Sequence, residues 1–250
     1  MSDFIAAEDR ALLERHGLAD YDALWALKLE AVDEPNTERG GWSSVYRLDL
    51  GERAYYLKRQ SNHLTRSLLR PLGEPTFARE FRNIRRYAEL GIPALQAAFF
   101  AQRRLPGERR ALLLTRALDG WEDLYGLFQR WSALLPQHRR ALVRAAGELA
   151  RRLHADGQVH GCFYPKHIFL RGDQLKCEAC LIDLEKTRPL LLGRRDRIRD
   201  LETLVRRADP WTSDDLGEFV AAYLGCATQD DQIAWWCERL ERRRLAKEAR

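Results

Sequence analysis

Residues 160–170, HGCFYPKHIFL, gather side chains that do chemistry. His160 and His167 can exchange protons or bind a metal, and Lys166 carries a charge beside them. Three more residues stand apart in the chain. Lys58 closes the run YYLK, Glu80 lies in FAREF, and Asp183 follows the apolar CLI. Ahead of Lys58, RGGWSSVYRL puts Gly40 and Gly41 in a turn and Ser43 just after it. Glycines there let backbone N–H groups approach phosphate oxygens. A strand lysine behind such a turn can grip phosphates, and an acid ending a buried strand can bind Mg²⁺. Each residue also has an ordinary reading: hairpin punctuation, a solvated edge lysine, one surface acid among many arginines. Their order along the chain is what points to phosphate chemistry.

Strands and one helix must hold these groups. Val45, Tyr46 and Leu48 lead to a turn at LGER, and Ala54 to Lys58 resume an extended run, so a β-hairpin is expected with Lys58 at its end. Phe77, Phe81, Ile84 and Tyr87 recur at helical spacing, with Gly91 placed to end that helix. LQAAFFAQRRLPGERRALLLTRAL reads as a second hairpin turning at Pro106–Gly107. The character then changes. Leu142, Ala145, Ala146, Leu149 and Leu153 form the apolar stripe of a long helix, and IFL-RGDQ-LKCEACLIDL reads as a short hairpin. Beyond about residue 196 the chain is helical again. Residues 2–29, with Leu12, Leu13, Leu24 and Leu27, predict one or two helices broken near Gly17. Strands plus one helix, followed mostly by helices, imply an α+β chain with a small β-rich lobe, a larger helical lobe and a cleft between them.

The composition is globular, 45% hydrophobic and 32% charged. The net charge of +5 suits an anionic ligand or surface and is too small to argue for nucleic acid. No apolar stretch reaches the roughly 20 residues that span a bilayer. The first residues lack a signal-peptide pattern, so a cytoplasmic protein is expected, with peripheral contact at the inner membrane left open. Five cysteines without a secretory signal read as reduced thiols.

Together these features resemble the protein-kinase-like fold. The kinase catalytic-loop pattern beginning H-R-D-L lies without a gap over His160, Gly161, Cys162 and Phe163, then His167, Ile168 and Phe169, and the lead-in LARRLHADGQVHG is equally similar. The resemblance covers about residues 38–205. A histidine where protein kinases place a metal-binding asparagine, with the wording YPKHIFL, resembles the bacterial lipopolysaccharide kinase family, in particular its InaA-type members, relatives of the WaaP core heptose kinases. The resemblance implies one two-lobed domain over residues 1–250. Its N-lobe would span about 30–116, the hinge about 114–120 and the C-lobe about 121–250, with 1–29 a helical extension. It implies ATP and Mg²⁺ as cofactors and a lipopolysaccharide inner-core sugar, or another anionic glycan, as acceptor. Gly40, Gly41 and Ser43 would cover the phosphates, Lys58 would grip them, and Glu80 would hold Lys58. Asp183 would bind the metal, with His167 a second ligand or a group behind it. His160, Cys162 and Lys166 would form the catalytic loop, Lys166 steadying the γ-phosphate. Asp200, in RDLETL, resembles the helix-borne acid that braces this loop, and LLLTRAL, residues 112–118, the strand and hinge against which adenine packs.

Cys162 is the departure. Kinases have a carboxylate there that orients the acceptor hydroxyl and takes its proton. Such base assistance is worth about 10²- to 10⁴-fold, so its loss slows an enzyme without necessarily silencing it. Three readings follow: a nucleotide-binding pseudokinase with a regulatory or envelope-stress role, another acid in the role (Glu185 or Asp173), or a slow enzyme. A basic adaptor for membrane or RNA would leave Lys58, Glu80, His167 and Asp183 unexplained.

Two further signals stand outside this set. CEAC, Cys177 to Cys180, has metal-ligand spacing, but alternation puts the two thiols on opposite strand faces. One arginine group runs from Arg66 to Arg86. A second, Arg188, Arg194, Arg195, Arg197 and Arg199, suits phosphate or acidic sugar, or a plain solvated face.

Overall fold

Alternation along β3 (Ala54–Ser61) organises the first half of the chain. Tyr55, Leu57 and Arg59 point to one face of a sheet, Tyr56, Lys58 and Gln60 to the other. The computed structural model describes residues 3–37, 40–67, 70–227 and 231–248. The chain divides into two units, Met1–Ala88 with Leu95–Asp119, and Glu89–Ala94 with Gly120–Arg250.

In the first unit β1 (Phe4–Ile5), β6 (Ala97–Leu105), β7 (Glu108–Arg116), β3 and β2 (Trp42–Asp49) form one antiparallel sheet in that order. Helices α1 (Ala7–Arg15) and α2 (Tyr21–Ala26) cover one face. Leu12, Leu13, Leu18, Tyr21 and Leu24 pack there against Leu48, Tyr55, Leu57, Phe99, Leu112 and Leu114. Burial of each such side chain contributes about 1.5–3 kcal/mol, so the N-terminal segment is part of the unit's core. Asp9, fully buried in α1, fastens it by accepting hydrogen bonds from Tyr55, Arg53 and Arg116. Helix α3 (Thr76–Leu90) covers the other face, with Phe81 stacked on Phe100 at 4.3 Å. It ends as expected at Gly91, φ +67°.

Lys58 lies in mid-strand, paired between Val45 and Leu113, not at a strand end. The strand continues because its polar tail finds partners. Gln60 Oε1 accepts hydrogen bonds from Thr76 Oγ1 and the Phe77 N–H, and the Ser61 hydroxyl donates to Glu108. A hairpin of β4 (Leu64–Ser67) and β5 (Arg70–Pro75) follows, in a stretch whose Pro and Gly content hides it. The second expected hairpin, β6–β7, turns at Pro106–Gly107, where Gly107 has φ +71°.

The second unit has β8 (Glu122–Asp123), α4 (Leu124–Gln129), α5 (Pro136–Ala155) and β9 (Gln158–Val159), then β10 (Ile168–Gly172), β11 (Cys177–Leu181) and β12 (Arg188–Pro189). It closes with α6 (Arg194–Val205), α7 (Ser213–Leu224) and α8 (Asp231–Glu248). The predicted stripe on α5 is buried throughout. Gly147 admits the close crossing of α7. A Cβ there would lie 2.5 Å from the Phe219 carbonyl oxygen and 2.8 Å from the Ala222 methyl. Strands β10 and β11 form the expected hairpin, extended by β8, while β9 pairs with β12.

Candidate active site

In the first unit Lys58 Nζ donates to Glu80 Oε1 at 2.6 Å, joining β3 to α3. Both side chains are largely buried, and the ammonium also lies 5.9 Å from the Phe77 ring centre. Removing either partner would strand a buried charge, at a cost of about 3–5 kcal/mol. The glycine turn lies between residues 31–36 and β2, whose pairing includes reciprocal hydrogen bonds between Asn36 and Ser43. Glu38 and Arg39 lie outside the described residues. The two glycines serve different needs. Gly40 has φ +75°, which only glycine adopts freely. A Cβ on Gly41 would lie 2.2 Å from the Ser61 carbonyl oxygen, so its side chain is excluded by the end of β3. The backbone N–H of Ser43 is consumed in strand pairing.

In the second unit the loop at 160–167 is held by Asp200 of α6. Its carboxylate accepts the N–H groups of His160 at 2.7 Å and Gly161 at 2.8 Å. Burial would push this carboxyl up, but hydrogen bonds from His154 and the loop hold it below the usual range. His154 Nε2 lies 3.3 Å from Asp200, and Nδ1 is 3.0 Å from the Tyr223 hydroxyl. Sequence reasoning passed over His154; a histidine on the buried face of an amphipathic helix was the available signal. His160 is fully buried, and its Nε2–H donates to the Ile182 carbonyl at 2.9 Å. The Ile182 N–H donates in turn to the His167 carbonyl at 3.0 Å. Loop and strand end are thereby tied together one residue before Asp183. Asp183 adopts φ +55° and ψ +64°. A non-glycine residue in this left-handed region costs about 1–3 kcal/mol and is characteristic of functional sites.

His167 and Asp183 form the chemically telling pair. The Cys162 carbonyl can only accept, so His167 Nδ1, 2.9 Å away, carries the proton. Burial lowers the pKa of His167 despite the opposing pull of Asp183, favouring neutral imidazole. Its Nε2 lone pair therefore faces the half-exposed Asp183 Oδ2 at 3.3 Å, two acceptors with no proton between them. A cation satisfies both. An imidazole nitrogen and a carboxylate oxygen 3.3 Å apart can share one divalent ion, the carboxylate being the donor that Mg²⁺ prefers. No group of three or more His, Cys, Asp and Glu side chains suited to a metal occurs among the described residues.

The other candidates fall as follows. Cys162 is buried, and its carbonyl accepts from both His167 and the Tyr164 N–H. Lys166 is exposed. Asp173 caps the β10–β11 turn by accepting the N–H groups of Leu175 and Lys176, which commits its carboxylate to that turn. Glu185 sits in the short turn Leu184–Lys186 directly after Asp183. Cys177 and Cys180 are free thiols, and burial raises their pKa values to about 11 and about 12. Arg188 pairs with Asp196, while Arg194, Arg195 and Arg199 line a groove between α6 and α8.

The lipopolysaccharide kinase (Kdo/WaaP) family model matches residues 22–223. The chain belongs to that family. Protein InaA of Escherichia coli (strain K12) is 29% identical over 208 residues, covering 82% of this chain and 95% of that protein. A solved structure of WaaP in complex with acyl carrier protein matches with a TM-score of 0.70 and 22% identity, covering 97% of this chain and 99% of that one. The fold is accordingly protein-kinase-like. Among the described residues no helix is long and apolar enough to cross a membrane.

Proposed function

We propose that this lipopolysaccharide kinase family member binds ATP with Mg²⁺ and transfers its terminal phosphoryl group to a sugar hydroxyl of the lipopolysaccharide inner core. The observation that carries this reading is the His167–Asp183 acceptor pair, which calls for a cation. The buried Lys58–Glu80 pair supports it, since it holds an ammonium ready for phosphate oxygens. Bound Mg²⁺ would neutralise charge on the transferring phosphates. Lys58 grips the phosphates, Glu80 orients Lys58, and Gly40, Gly41 and Ser43 border them. Asp183 and His167 hold the metal. Asp200 and His160 keep the loop in place, and exposed Lys166 steadies the γ-phosphate. The division into an N-lobe of about 30–116, a hinge of about 114–120 and a C-lobe of about 121–250 follows the same reading. Acting on this acceptor brings the chain to the cytoplasmic side of the inner membrane as a peripheral protein. An acyl carrier protein, the companion of the WaaP structure, is a candidate partner for this chain as well.

Cys162 favours a second reading. No carboxylate occupies the loop position, and the thiol there is buried, so nucleotide binding without transfer is the alternative. Incubation with labelled ATP and dephosphorylated inner-core oligosaccharide separates the two. Label in the sugar at a rate proportional to enzyme supports transfer. Nucleotide binding with no labelled sugar leaves the pseudokinase reading.

A further inference from the structure

Leu191 and Leu192 are exposed, 76% and 58%, yet the backbone carrying them is firmly held. Both of their N–H groups donate to Asp196 Oδ2 at 3.0 Å. Asp196 is itself buried and takes two hydrogen bonds from Arg188, at 2.9 and 2.7 Å. This clamp presents two leucines to solvent directly before α6. From Arg194 onward, α6 and α8 enclose a groove of about 650 Å³. Arg194, Arg195, Arg199, Arg239 and Arg242 line it with Trp235, against two carboxylates among the described residues, Glu202 and Glu238. Arg242 is paired with Glu238, while the other four guanidinium groups form no ion pair with a carboxylate among the described residues. Trp235 is 43% exposed, and the Arg194 guanidinium lies 5.0 Å from its ring centre.

We infer that the Leu191–Leu192 loop and the α6–α8 groove form a docking surface for an anionic phospholipid bilayer. The leucines and Trp235 enter the headgroup region, and the arginines bind lipid phosphates. Indole rings favour the membrane interface, and apolar side chains beside clustered arginines are the signature of proteins that lie on it. Guanidinium matches phosphate bidentately. Charge alone would equally suit a soluble phosphate or an acidic protein; three exposed apolar side chains, Trp235 in the groove lining and Leu191 and Leu192 just before α6, favour a bilayer. The inference deepens the peripheral membrane contact proposed above; vesicle binding is measured without nucleotide or acceptor, so its failure and the failure of sugar labelling are distinguishable.

The test is co-sedimentation of the full chain with phosphatidylcholine vesicles, with and without phosphatidylglycerol. Binding is expected only with the anionic vesicles, declining as salt is raised. Arg194→Ser with Arg195→Ser should lower partitioning about 30-fold. Leu191→Ser with Leu192→Ser should also lower it, with the melting temperature unchanged because both residues are exposed. Tryptophan fluorescence should shift to the blue on binding, and Trp235→Phe should abolish the shift. Failure to sediment overturns the inference, as does equal binding to neutral vesicles. Binding insensitive to the leucine substitutions but displaced by pyrophosphate or by an acidic soluble protein assigns the groove to that ligand and overturns the bilayer.

Discussion

Cys162 is where this chain departs furthest from a working kinase loop, and its surroundings limit what the thiol can do. The side chain is buried, while the carbonyl fixes the tautomer of His167 and so shapes the His167–Asp183 pair. That backbone role survives any side chain at position 162, which explains how the loop keeps its form without a carboxylate. Restoring the acid tests whether base assistance is the missing part. Cys162→Asp is expected to raise transfer to inner-core sugar by about 10²-fold with nucleotide affinity unchanged. A fall in transfer at an unchanged melting temperature would show that the thiol environment is itself in use. Lys58, Glu80 and Asp183 were legible in the sequence because charged side chains at ordered positions carry their chemistry openly. The Cys162 carbonyl and the His154–Asp200 contact were not, since a backbone acceptor has no letter of its own and a core histidine resembles its apolar neighbours.

The β3–α3 pair and the α6 brace position the chemistry, and both rest on packing that sequence periodicity partly revealed. Helix α3, the long α5 and the β6–β7 hairpin follow their apolar spacing and turn residues. The extension of β3 past Lys58 and the β4–β5 hairpin escaped notice, because polar and Pro-rich stretches read as loop until their partners are known. Helices α1 and α2 were expected, but their place on the sheet was not. Asp9 makes that place testable. Burial would push its carboxyl up; hydrogen bonds from Arg116, Tyr55 and Arg53 outweigh this and hold it below the usual range. A carboxylate with a lowered folded pKa contributes stability fully present above the unfolded value, about 3.9, and lost as pH falls through the folded value. Urea unfolding should therefore show wild-type stability declining below pH about 4. Asp9→Asn is expected to cost about 3 kcal/mol at neutral pH and to flatten that acid limb. An unaltered acid limb would mean that the charge on Asp9 does not fasten the N-terminal helices.

For the molecule as a whole, order along the chain carried the most information. A glycine turn, a strand lysine, a helix glutamate, a histidine-bearing loop and a strand-end aspartate come in kinase order. The family match over residues 22–223 and the fold similarity to WaaP agree with that reading. The acceptor sugar was less legible, because acceptor recognition depends on surface shape that no local spacing encodes. Under the proposed function, Lys58 and Asp183 each contribute to the binding of Mg-ATP. Isothermal titration of Mg-ATP into the wild-type chain, Lys58→Met and Asp183→Asn tests this most directly. The expected result is saturable wild-type binding, weakened at least about 10-fold by Lys58→Met, with Asp183→Asn erasing the advantage of ATP with Mg²⁺ over ATP without it. Wild-type protein that binds no Mg-ATP at millimolar concentration, or variants that bind it as tightly as wild type, would contradict the assignment.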